Sequence, residues 1–360
     1  MGVDMAFCTV CMNRAMHVKE TFLKNMSDNL ANKNATFYLL DYNSQDDLED
    51  WVRSHLEAFI DTGRLVYYKT FEPESFSQSH SRNMIFRLAE HTVVCNVDAD
   101  NYVGVGFATY VEEAFHDRNV FLSGAETGRQ IGSSGIYGRI CMKRTDFLSV
   151  RGYDESMTGY GFEDIDLRQR LHRLGLAEVA VDKRFATAID HSNELRMQDE
   201  PSSKSIFVAA VRFINHWSSE LLFFFSNGFF ESVIVCDTFN EHSTKPDNAL
   251  NIVFKNRWRY YLQKDSLKSG TWTCNANEDL VCTYDVGDQL QDVISPKVDR
   301  MTQIVRGKTR LNEMLMFRSV VTNRNKMVKN ESLGLSAIND GGYGQGVVYK
   351  NFDYSKPIKL

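Results

Sequence analysis

Apolar runs of strand length alternate with stretches of helical periodicity over the first hundred residues, and this alternation restricts the fold more than any other feature. The predicted strands are residues 6–12, 36–40, 64–68 and 92–97. The predicted helices between them are residues 14–26, 48–60 and 79–89. Strands that alternate with helices of this length form parallel βαβ units. The sequence therefore predicts an α/β fold with a doubly wound sheet.

Polar residues follow the predicted strands, at the edge where sheets of this kind bind ligands. Asn13 and Arg14 follow the first strand, Asp41 follows the second, and Asp98 and Asp100 follow the fourth. The glycine-rich loops that hold phosphates on backbone amides, GxGxxG after the first strand and GxxxxGK[ST], are absent. A nucleotide bound here would need another source of positive charge, and a divalent cation on carboxylates is the natural candidate.

Asp98 and Asp100 stand at positions i and i+2, close enough to bind one hard cation. Carboxylate oxygens suit Mg²⁺ or Mn²⁺ that bridges substrate phosphates. Aspartates are also common in the turns after strands, so a plain turn is the alternative. His191, which follows a further predicted strand at 185–189, would complete a set of two carboxylates and one imidazole. A structural histidine is the alternative there.

A glycine-rich turn precedes a cluster of acidic residues in the stretch 152–170, GYDESMTGYGFEDIDLRQR. The cluster consists of Glu163, Asp164 and Asp166. Acidic residues at a helix start are favoured by the free N–H groups and the dipole there, which is a purely structural explanation. Three carboxylates within four positions also repel one another, and the glycines at 159 and 161 leave the backbone open to a ligand. The repulsion among the carboxylates and the open backbone favour a functional role for this cluster. Within it, Asp166 is expected to cap the helix or orient an arginine.

The charge of the chain is unevenly distributed. Its 360 residues have room for two domains, and the net charge is −6. Residues 1–203 contain 21 Lys and Arg against 31 Asp and Glu, whereas residues 204–360 contain 20 against 16. Nine basic and two acidic residues lie between 297 and 329. Such a basic stretch is either a solvated face or a surface for an anionic partner, and no nucleic acid partner is expected.

Several features favour a cytoplasmic location. The N-terminal residues lack the basic start and long apolar run of a signal peptide. The most apolar segment, 221–235, is interrupted by polar residues and is not expected to span a bilayer. Seven scattered cysteines fit a reducing compartment. Cys8 and Cys11 form a single CxxC, which we interpret as buried packing rather than a metal or redox site.

The second half of the chain has a different pattern. Residues 203–217 are predicted to be helical, and 221–225 with 229–235 are predicted to form a hairpin. Short strand-like runs follow at 251–254, 258–262, 270–274, 280–284, 301–306 and 314–320. They indicate an antiparallel sheet or small barrel, and the Gly/Tyr/Lys-rich end, 341–360, is expected to be mobile. The predicted domains are a catalytic domain (1–200), a connecting helix and hairpin (201–245) and a β-rich module with the basic patch (246–360).

Three sequence blocks together resemble the GT-A fold of nucleotide-sugar glycosyltransferases. They are SFSQSHSRNMIFRLAE (75–90), with its Arg-Asn pair, VVCNVDADN (93–101), and the block 138–175 that ends in the glycine-rich ED motif. The resemblance covers about residues 5–195 and is most specific between 75 and 175. More narrowly, the chain is similar to family-2 enzymes and to the galactosyltransferase-like domains of β-1,4-galactosyltransferases and chondroitin-polymerase-type enzymes. Tyr160 stands where the family has Trp, and Phe162 where it commonly has Gly, so the resemblance does not define the donor sugar.

The resemblance implies a metal-dependent transfer of a sugar from UDP to the hydroxyl of a glycan or lipid-linked acceptor, with inversion, in polysaccharide biosynthesis. It implies Asp164 as general base, Glu163 as a ligand of an acceptor or sugar hydroxyl, and Mn²⁺ or Mg²⁺ on the DxD pair and His191. The residues that it implies for donor binding are Thr9, Asn13, Arg14, Asp41, Arg82, Asn83, Asp98 and Gly161. For Arg82, a surface salt bridge is the alternative to a phosphate contact.

Two other functions remain open from the sequence. One is a retaining glycosyltransferase of the same fold, and the other is a non-catalytic protein that binds a sugar nucleotide or a glycan. The basic stretch leaves open an anionic acceptor and peripheral association with the inner face of a membrane.

Overall fold

The computed structural model describes residues 2–116, 118–124, 136–190, 204–215, 218–236, 259–260, 267–285, 291–295 and 299–360. The chain divides into two compact units. The first comprises Met1–Thr158, Phe162–His191 and Lys329–Leu360, and the second comprises Gly159–Gly161 and Ser192–Val328. The end of the chain thus belongs to the first unit. The ranges 1–200, 201–245 and 246–360 stay a prediction of functional domains, since compactness alone does not define function.

The first unit begins with the predicted alternation of strands and helices. Its elements up to the fourth strand are β1 (Met5–Cys11), α1 (Ala15–Ser27), β2 (Ala35–Tyr42), α2 (Leu48–Asp61), β3 (Leu65–Thr70), α3 (Gln78–Leu88) and β4 (Val93–Asn96). The next elements are β5 (Asn101–Tyr102), α4 (Phe107–Phe115), β6 (Val120–Ser123), β7 (Ile140–Lys143), α5 (Arg144–Ser149), α6 (Glu163–Arg173), β8 (Ala177–Ala180), a 3₁₀ turn (Lys183–Phe185) and β9 (Thr187–Ala188).

The remaining elements are mostly strands. They are β10 (Ile206–Asn215), β11 (Ser218–Phe225), β12 (Phe229–Cys236), β13 (Arg259–Tyr260), β14 (Leu267–Cys274), β15 (Leu280–Tyr284), β16 (Gln291–Ile294), β17 (Thr302–Ile304), α7 (Lys308–Ser332), β18 (Val347–Lys350) and β19 (Ile358–Lys359). No helix in the described part of the chain combines the length and the apolar composition needed to cross a bilayer.

The large sheet of the first unit has the strand order β19-β18-β3-β2-β1-β4-β7-β6-β8. Strands β1 to β4 are parallel to one another in the centre of this sheet, whereas β7 is antiparallel to β4 and β6, and β18 is antiparallel to β3. Every residue of β1 is buried, because alternate side chains enter hydrophobic clusters on opposite faces: Phe7 packs on one face and Ala6 on the other. A strand covered on both faces is apolar throughout, which explains its sequence. The predicted α/β sheet is confirmed.

The second unit is built on an antiparallel sheet with the order β16-β15-β14-β12-β11-β10-β17. One face packs against α7, where Met314 and Leu315 meet Leu221 and Phe223. The sheet is curled, as an ion pair shows: Arg212 on β10, next to one edge, pairs with Asp292 on β16 at the opposite edge. The predicted hairpin is present as β11 and β12. The predicted antiparallel β module is thus confirmed.

The predicted helix at 203–217 is wrong. Its described part forms β10, which pairs with β11 and β17. Neighbouring residues of this strand enter clusters on opposite faces of the sheet, Ala210 in one and Val211 in the other. A strand that buries both faces shows no alternation of apolar and polar residues, so its apolar positions also matched helical spacing.

Two predictions near the end of the chain are also wrong. The run 314–320, predicted as a strand, lies inside the helix α7, and the end expected to be mobile is ordered. Strand β18 pairs with β3, and the Phe352 ring packs on the Tyr67 ring with centroids 4.7 Å apart. Strands that pair across so long a separation leave no local sequence pattern from which the pairing can be predicted. The predicted runs 251–254 and most of 258–262 lie outside the described residues.

Candidate active site

The Arg82 side chain joins two motifs that stand far apart in the sequence. Its guanidinium donates to Asp98, after β4, with 2.9 Å between Nη2 and Oδ1. It also donates to Glu163 and Asp164 at the start of α6, at 3.2 and 2.9 Å from Nη1. The Arg82 side chain is only 4% exposed, so it is not a surface salt bridge. One buried cation therefore holds three carboxylates together.

The acidic residues at the start of α6 fall into two groups. Glu163, Asp164 and Asp166 all lie in its first turn, where the helix dipole favours negative charge. Asp166 is buried and pairs with Arg170, with 2.7 Å between Oδ2 and Nε, as expected for a residue that orients an arginine. Glu163 and Asp164 instead bind Arg82. Asp166 therefore has a structural role within α6, and the roles of Glu163 and Asp164 in the reaction stay predictions.

The pKa of Asp164 is raised well above the usual value of a carboxyl group. Burial is the main cause, and the nearby carboxylates of Glu163 and Asp98 raise this pKa further, whereas the Arg82 cation opposes the rise. The Asp164 side chain nevertheless keeps 16% of its surface exposed. A carboxylate with a raised pKa binds a proton more strongly, which makes Asp164 suited to act as a general base.

Gly138 closes this site from the β7 side, and the sequence analysis did not identify it. A Cβ atom at this position would lie 2.5 Å from Asp98 Oδ2 and 2.8 Å from Arg82 Nη2. The Asn96 side chain donates from Nδ2 to both Asp98 Oδ1 and the Gly138 carbonyl oxygen, each at 2.8 Å. Glycine is therefore needed for the close approach of Asp98 and Arg82. A glycine just before an apolar strand was the available signal.

The second aspartate of the DxD pair lies in a different environment. Asp100 Oδ1 accepts a hydrogen bond from Asn101 Nδ2 at 2.8 Å, and the Asp100 carbonyl accepts from the Ile189 N–H at 2.8 Å. His191, the predicted third metal ligand, lies outside the described residues. The described residues contain no group of three or more His, Cys, Asp or Glu side chains arranged around a metal. They supply two partly exposed carboxylates on one loop, whose oxygens fit a hard cation.

The predicted nucleoside ligands at the end of β1 lie beside β4. Thr9 is buried next to Val97, whose N–H donates to the Cys8 carbonyl at 2.9 Å. Asn13 has a positive φ of 56°, and its Oδ1 accepts from the Gln45 N–H at 2.8 Å. Arg14 donates to the Asn13 carbonyl at 3.1 Å. The structure thus places these residues at the carboxyl edge of the sheet.

Asp41 is fully buried and is held by its neighbours. Its carboxylate accepts hydrogen bonds from Tyr67 Oη at 2.9 Å and from the Ser44 N–H at 2.7 Å. Lys69 Nζ lies 3.2 Å from Asp41 Oδ2. These contacts fix the loop after β2, so any effect of Asp41 on a nucleoside acts through that loop.

Two other residues predicted to bind the donor have their own partners. Asn83 is fully buried, and its amide exchanges hydrogen bonds with the Tyr153 backbone at 2.8 and 2.9 Å. It therefore fixes the loop that leads to α6. Gly161 belongs to the second unit, where it has a φ of 94° and its carbonyl accepts from Asn323 Nδ2 at 2.9 Å. Their roles in donor binding stay predictions.

A cleft of about 320 Å³ lies at the carboxyl ends of β2 and β3. It is lined by Tyr42, Thr70, Glu72, Pro73, Glu74, Ser75, Ser77, His80 and Met84. Both ring nitrogens of His80 have partners, Tyr42 Oη at 2.7 Å and the Gln345 carbonyl at 2.9 Å. Since a carbonyl only accepts, Nε2 carries a proton. Sequence reasoning missed this cleft, although the block 75–90 contains four of its residues.

Residues 118–195 match the family model described as the N-terminal domain of galactosyltransferase. The resemblance predicted from the sequence is confirmed over this stretch. No curated protein sequence matches the chain significantly. The matched stretch includes Glu163 and Asp164, but neither Arg82 nor the DxD pair.

Several solved glycosyltransferase structures are similar to part of this chain. The mannosyltransferase PcManGT from Pyrobaculum calidifontis, solved with GDP-Man and Mn²⁺, is 16% identical, with a TM-score of 0.45 over 57% of this chain and 64% of its own. S. aureus TarS 1–349 is 16% identical, with a TM-score of 0.40 over 54% and 63%. The match thus spans less than two thirds of either protein. A Drosophila β-1,4-galactosyltransferase 7 mutant, solved with manganese, UDP-Gal and xylobiose, is 12% identical, with a TM-score of 0.38 over 55% and 75%.

Proposed function

We infer that this protein is a glycosyltransferase that moves a sugar from a UDP-sugar to the hydroxyl of a glycan or lipid-linked acceptor in polysaccharide biosynthesis. The observation that carries this conclusion is the Arg82 cluster, which brings a strand-end aspartate together with two carboxylates at a helix start. Sugar transfer requires both an anchor for the leaving diphosphate and a base for the acceptor. The match of residues 118–195 to a galactosyltransferase domain supports the same reaction class.

Asp164 accepts the proton in this mechanism. The acceptor hydroxyl attacks the anomeric carbon while its proton passes to an Asp164 carboxylate oxygen, and the bond from the anomeric carbon to the diphosphate oxygen breaks. A single displacement of this kind inverts the anomeric centre. Arg82, bound to Asp164 at 2.9 Å, opposes the rise in the pKa of Asp164 that burial causes. Glu163 is proposed to bind a hydroxyl of the acceptor or of the sugar.

Asp98 and Asp100 would hold a divalent cation, Mn²⁺ or Mg²⁺. When bound, such a cation supplies Lewis-acid neutralisation of the departing diphosphate. His191 is the proposed third ligand, on the resemblance alone. The Arg82 side chain already forms ion pairs with three carboxylates. It would bind a phosphate directly only if one of these ion pairs breaks, and otherwise it contributes by holding the carboxylates in place.

The uridine is proposed to lie at the carboxyl edge of β1 and β2, against Thr9, Asn13 and Arg14. The positive φ of Asn13 and the buried Asp41 shape the two loops there. Turnover of a panel of UDP-, GDP- and CDP-sugars, followed by mass spectrometry, tests this assignment. Calorimetric binding without any turnover would instead support a non-catalytic binding protein, and retention seen by NMR of the product anomer would exclude the single displacement.

Replacing Asp98 or Asp100 with alanine is expected to abolish Mn²⁺-dependent UDP binding in a protein that stays folded. Without the carboxylate, the cation that compensates the diphosphate charge is lost. Isothermal titration with UDP, with and without Mn²⁺, measures the effect. Asp182→Ala, which removes a carboxylate that caps the 3₁₀ turn, is the control. Unchanged Mn²⁺-dependent affinity in both test variants would exclude this metal site.

The basic stretch between 297 and 329 is proposed to attract an anionic acceptor. Its cations do not form one uniform face, because Arg318 pairs with Glu231. Arg306, Lys308 and Arg310 are exposed at the start of α7 and its preceding turn. These three exposed cations lie within five positions of one another and would meet a partner from solution, such as an acidic glycan or an anionic lipid carrier at the inner face of a cytoplasmic membrane.

Changing Arg306, Lys308 and Arg310 together to glutamate is expected to raise the acceptor KM and to flatten its salt dependence. The physical reason is the loss of an attraction that is screened over about 10 Å at 0.1 M salt. Hydrolysis of the UDP-sugar should be unchanged. Acceptor kinetics at several salt concentrations measure the effect.

The matched control reverses three exposed lysines of the first unit, Lys350, Lys356 and Lys359. It makes the same change in net charge at another place. If both triple variants alter the acceptor KM equally, or neither does, the basic stretch is only a solvated face.

A further inference from the structure

Arg139, the first residue after Gly138, is a completely buried arginine that the proposed reaction does not use. Its guanidinium donates to the Asn101 Oδ1 atom and the Tyr102 carbonyl, both at 3.0 Å, and to the Phe185 carbonyl. Among the described residues, no carboxylate forms an ion pair with it. Burial of a cation that is held only by neutral oxygens lowers the stability of the fold. We therefore expect Arg139 to have a function that compensates for this cost.

The charge of Arg139 persists at neutral pH. Burial lowers its pKa to about 10, while the carboxylates of Asp98 and Asp100 act in the opposite direction. An arginine in this state donates hydrogen bonds and cannot accept them. Every hydrogen-bond partner of its guanidinium must therefore be an acceptor.

This requirement fixes the orientation of the Asn101 amide. Because Arg139 Nη2 only donates, the oxygen of the amide must point to it and the NH₂ group must point away. The NH₂ group then donates to Asp100 Oδ1 at 2.8 Å. The Asn101 backbone N–H also donates to the Asp98 carbonyl at 2.9 Å. A chain of hydrogen bonds thus runs from the Arg139 guanidinium through one amide to the Asp100 carboxylate.

The same guanidinium ties this loop to the next segment of the chain. Strand β5, which contains Asn101 and Tyr102, pairs with β9, and Phe185 lies just before β9. Arg139 thus joins β5 to the 3₁₀ turn that precedes β9. It also lies over the Phe107 ring, with 5.6 Å from Cζ to the centroid, which excludes water from the far side of the guanidinium.

We propose that Arg139 and Asn101 are positioning residues for a divalent cation at the DxD loop: Arg139 orients the Asn101 amide, and the amide orients the Asp100 carboxylate. This inference rests on the proposed function. Hydrogen bonds that orient metal ligands typically change metal affinity by about 10- to 100-fold when they are removed. The positive charge of Arg139 by itself lowers the metal affinity of the loop, because it repels a cation.

Asn101→Ala separates these two effects. It removes the amide that orients Asp100 and leaves the guanidinium in place, so only the orienting effect is lost. Arg139→Met removes the orientation and the repulsion together. We therefore expect a larger loss of Mn²⁺ affinity in Asn101→Ala than in Arg139→Met. Arg139→Lys keeps the charge and one donor, and is expected to retain more affinity than Asn101→Ala and to stay folded should Arg139→Met unfold.

The control is Arg64→Met. Arg64 also donates to a backbone carbonyl of a neighbouring loop, that of Asn32 at 2.8 Å, but it lies before β3, at the opposite edge of the sheet from the DxD loop. The Arg64→Met substitution is expected to lower the melting temperature without changing Mn²⁺ affinity. This separates a loss of general stability from a loss of ligand orientation.

The experiment measures free Mn²⁺ by electron paramagnetic resonance in titrations of the full chain, with and without UDP. Amide hydrogen exchange of residues 98–102 provides a second readout without metal. The expected result is a loss of about 10- to 100-fold in Mn²⁺ affinity for Asn101→Ala, with faster exchange in the loop. Wild-type affinity and exchange in folded Asn101→Ala and Arg139→Lys would overturn the inference alone. Absence of Mn²⁺ binding by the wild-type chain, with and without UDP, would overturn the proposed metal dependence as well.

Discussion

Replacing Asp164 with asparagine is expected to lower the rate of sugar transfer by about 10²- to 10⁴-fold, the usual contribution of a general base. The amide has nearly the same shape as the carboxylate but cannot take the proton of the acceptor hydroxyl. Donor affinity should change by only a few-fold, because Asp98 and Asp100, which would hold the cation that binds the diphosphate, are untouched. Single-turnover kinetics with a UDP-sugar and acceptor, together with donor titration, measure both quantities.

The same substitution should not lower stability. The pKa of Asp164 is raised in the folded protein, so its ionised form is disfavoured there. For a raised carboxyl pKa, the contribution to stability is present below the unfolded pKa and is lost as the pH rises through the folded pKa. At neutral pH the raised pKa of Asp164 therefore costs stability, and Asp164→Asn should melt at the wild-type temperature or above it.

Asp166→Asn is the matched control for this prediction. Asp166 lies two positions further along the same helix, but its carboxylate is the partner of the buried Arg170. Its removal should lower the melting temperature, because it leaves a buried guanidinium without an opposite charge. If Asp164→Asn keeps transfer within about tenfold of wild type, less than a base usually contributes, then Asp164 is not the base and Glu163 is the next candidate.

The central part of the fold could be predicted because its signals are local. Strands β1 to β4 are apolar along their length, and the helices between them have one apolar face, so spacing alone identified both. The DxD pair and the acidic cluster were also found as short motifs. In each case the residues that carry the signal are close together in the sequence.

The remaining features depend on contacts between distant segments. No pattern indicates that Arg82 would bind Asp98 and the start of α6 together, or that Gly138 must lack a side chain to admit both groups. The pairing of β18 with β3 is equally invisible, since each segment is short and its partner is far away. The strand β10 was missed for another reason: burial of both faces removes the periodicity that distinguishes a strand from a helix.

Replacing Arg82 with methionine is expected to lower the free energy of unfolding by about 3–5 kcal/mol, the typical cost of removing one partner from a buried ion pair. Methionine keeps much of the side-chain volume, so the loss of stability reports the removal of the positive charge. Three carboxylates that share one guanidinium then repel one another without compensation. Transfer should be lost as well, because Asp98 and Asp164 are no longer held together. Urea denaturation and transfer kinetics measure the two effects.

Acidic pH and a second substitution show whether the charge is the cause. The stability difference between Arg82→Met and wild type should shrink as the pH falls and the carboxyl groups take up protons, and adding Asp164→Asn to Arg82→Met should restore part of the stability at neutral pH. Arg87→Met is the control, since Arg87 lies in the same helix but donates to the backbone carbonyls of Tyr343 and Gly344. Its effect should be smaller and should not diminish with pH. A loss in Arg82→Met that is independent of pH and unrelieved by Asp164→Asn would mean that Arg82 stabilises the fold through packing, and not by holding the three carboxylates.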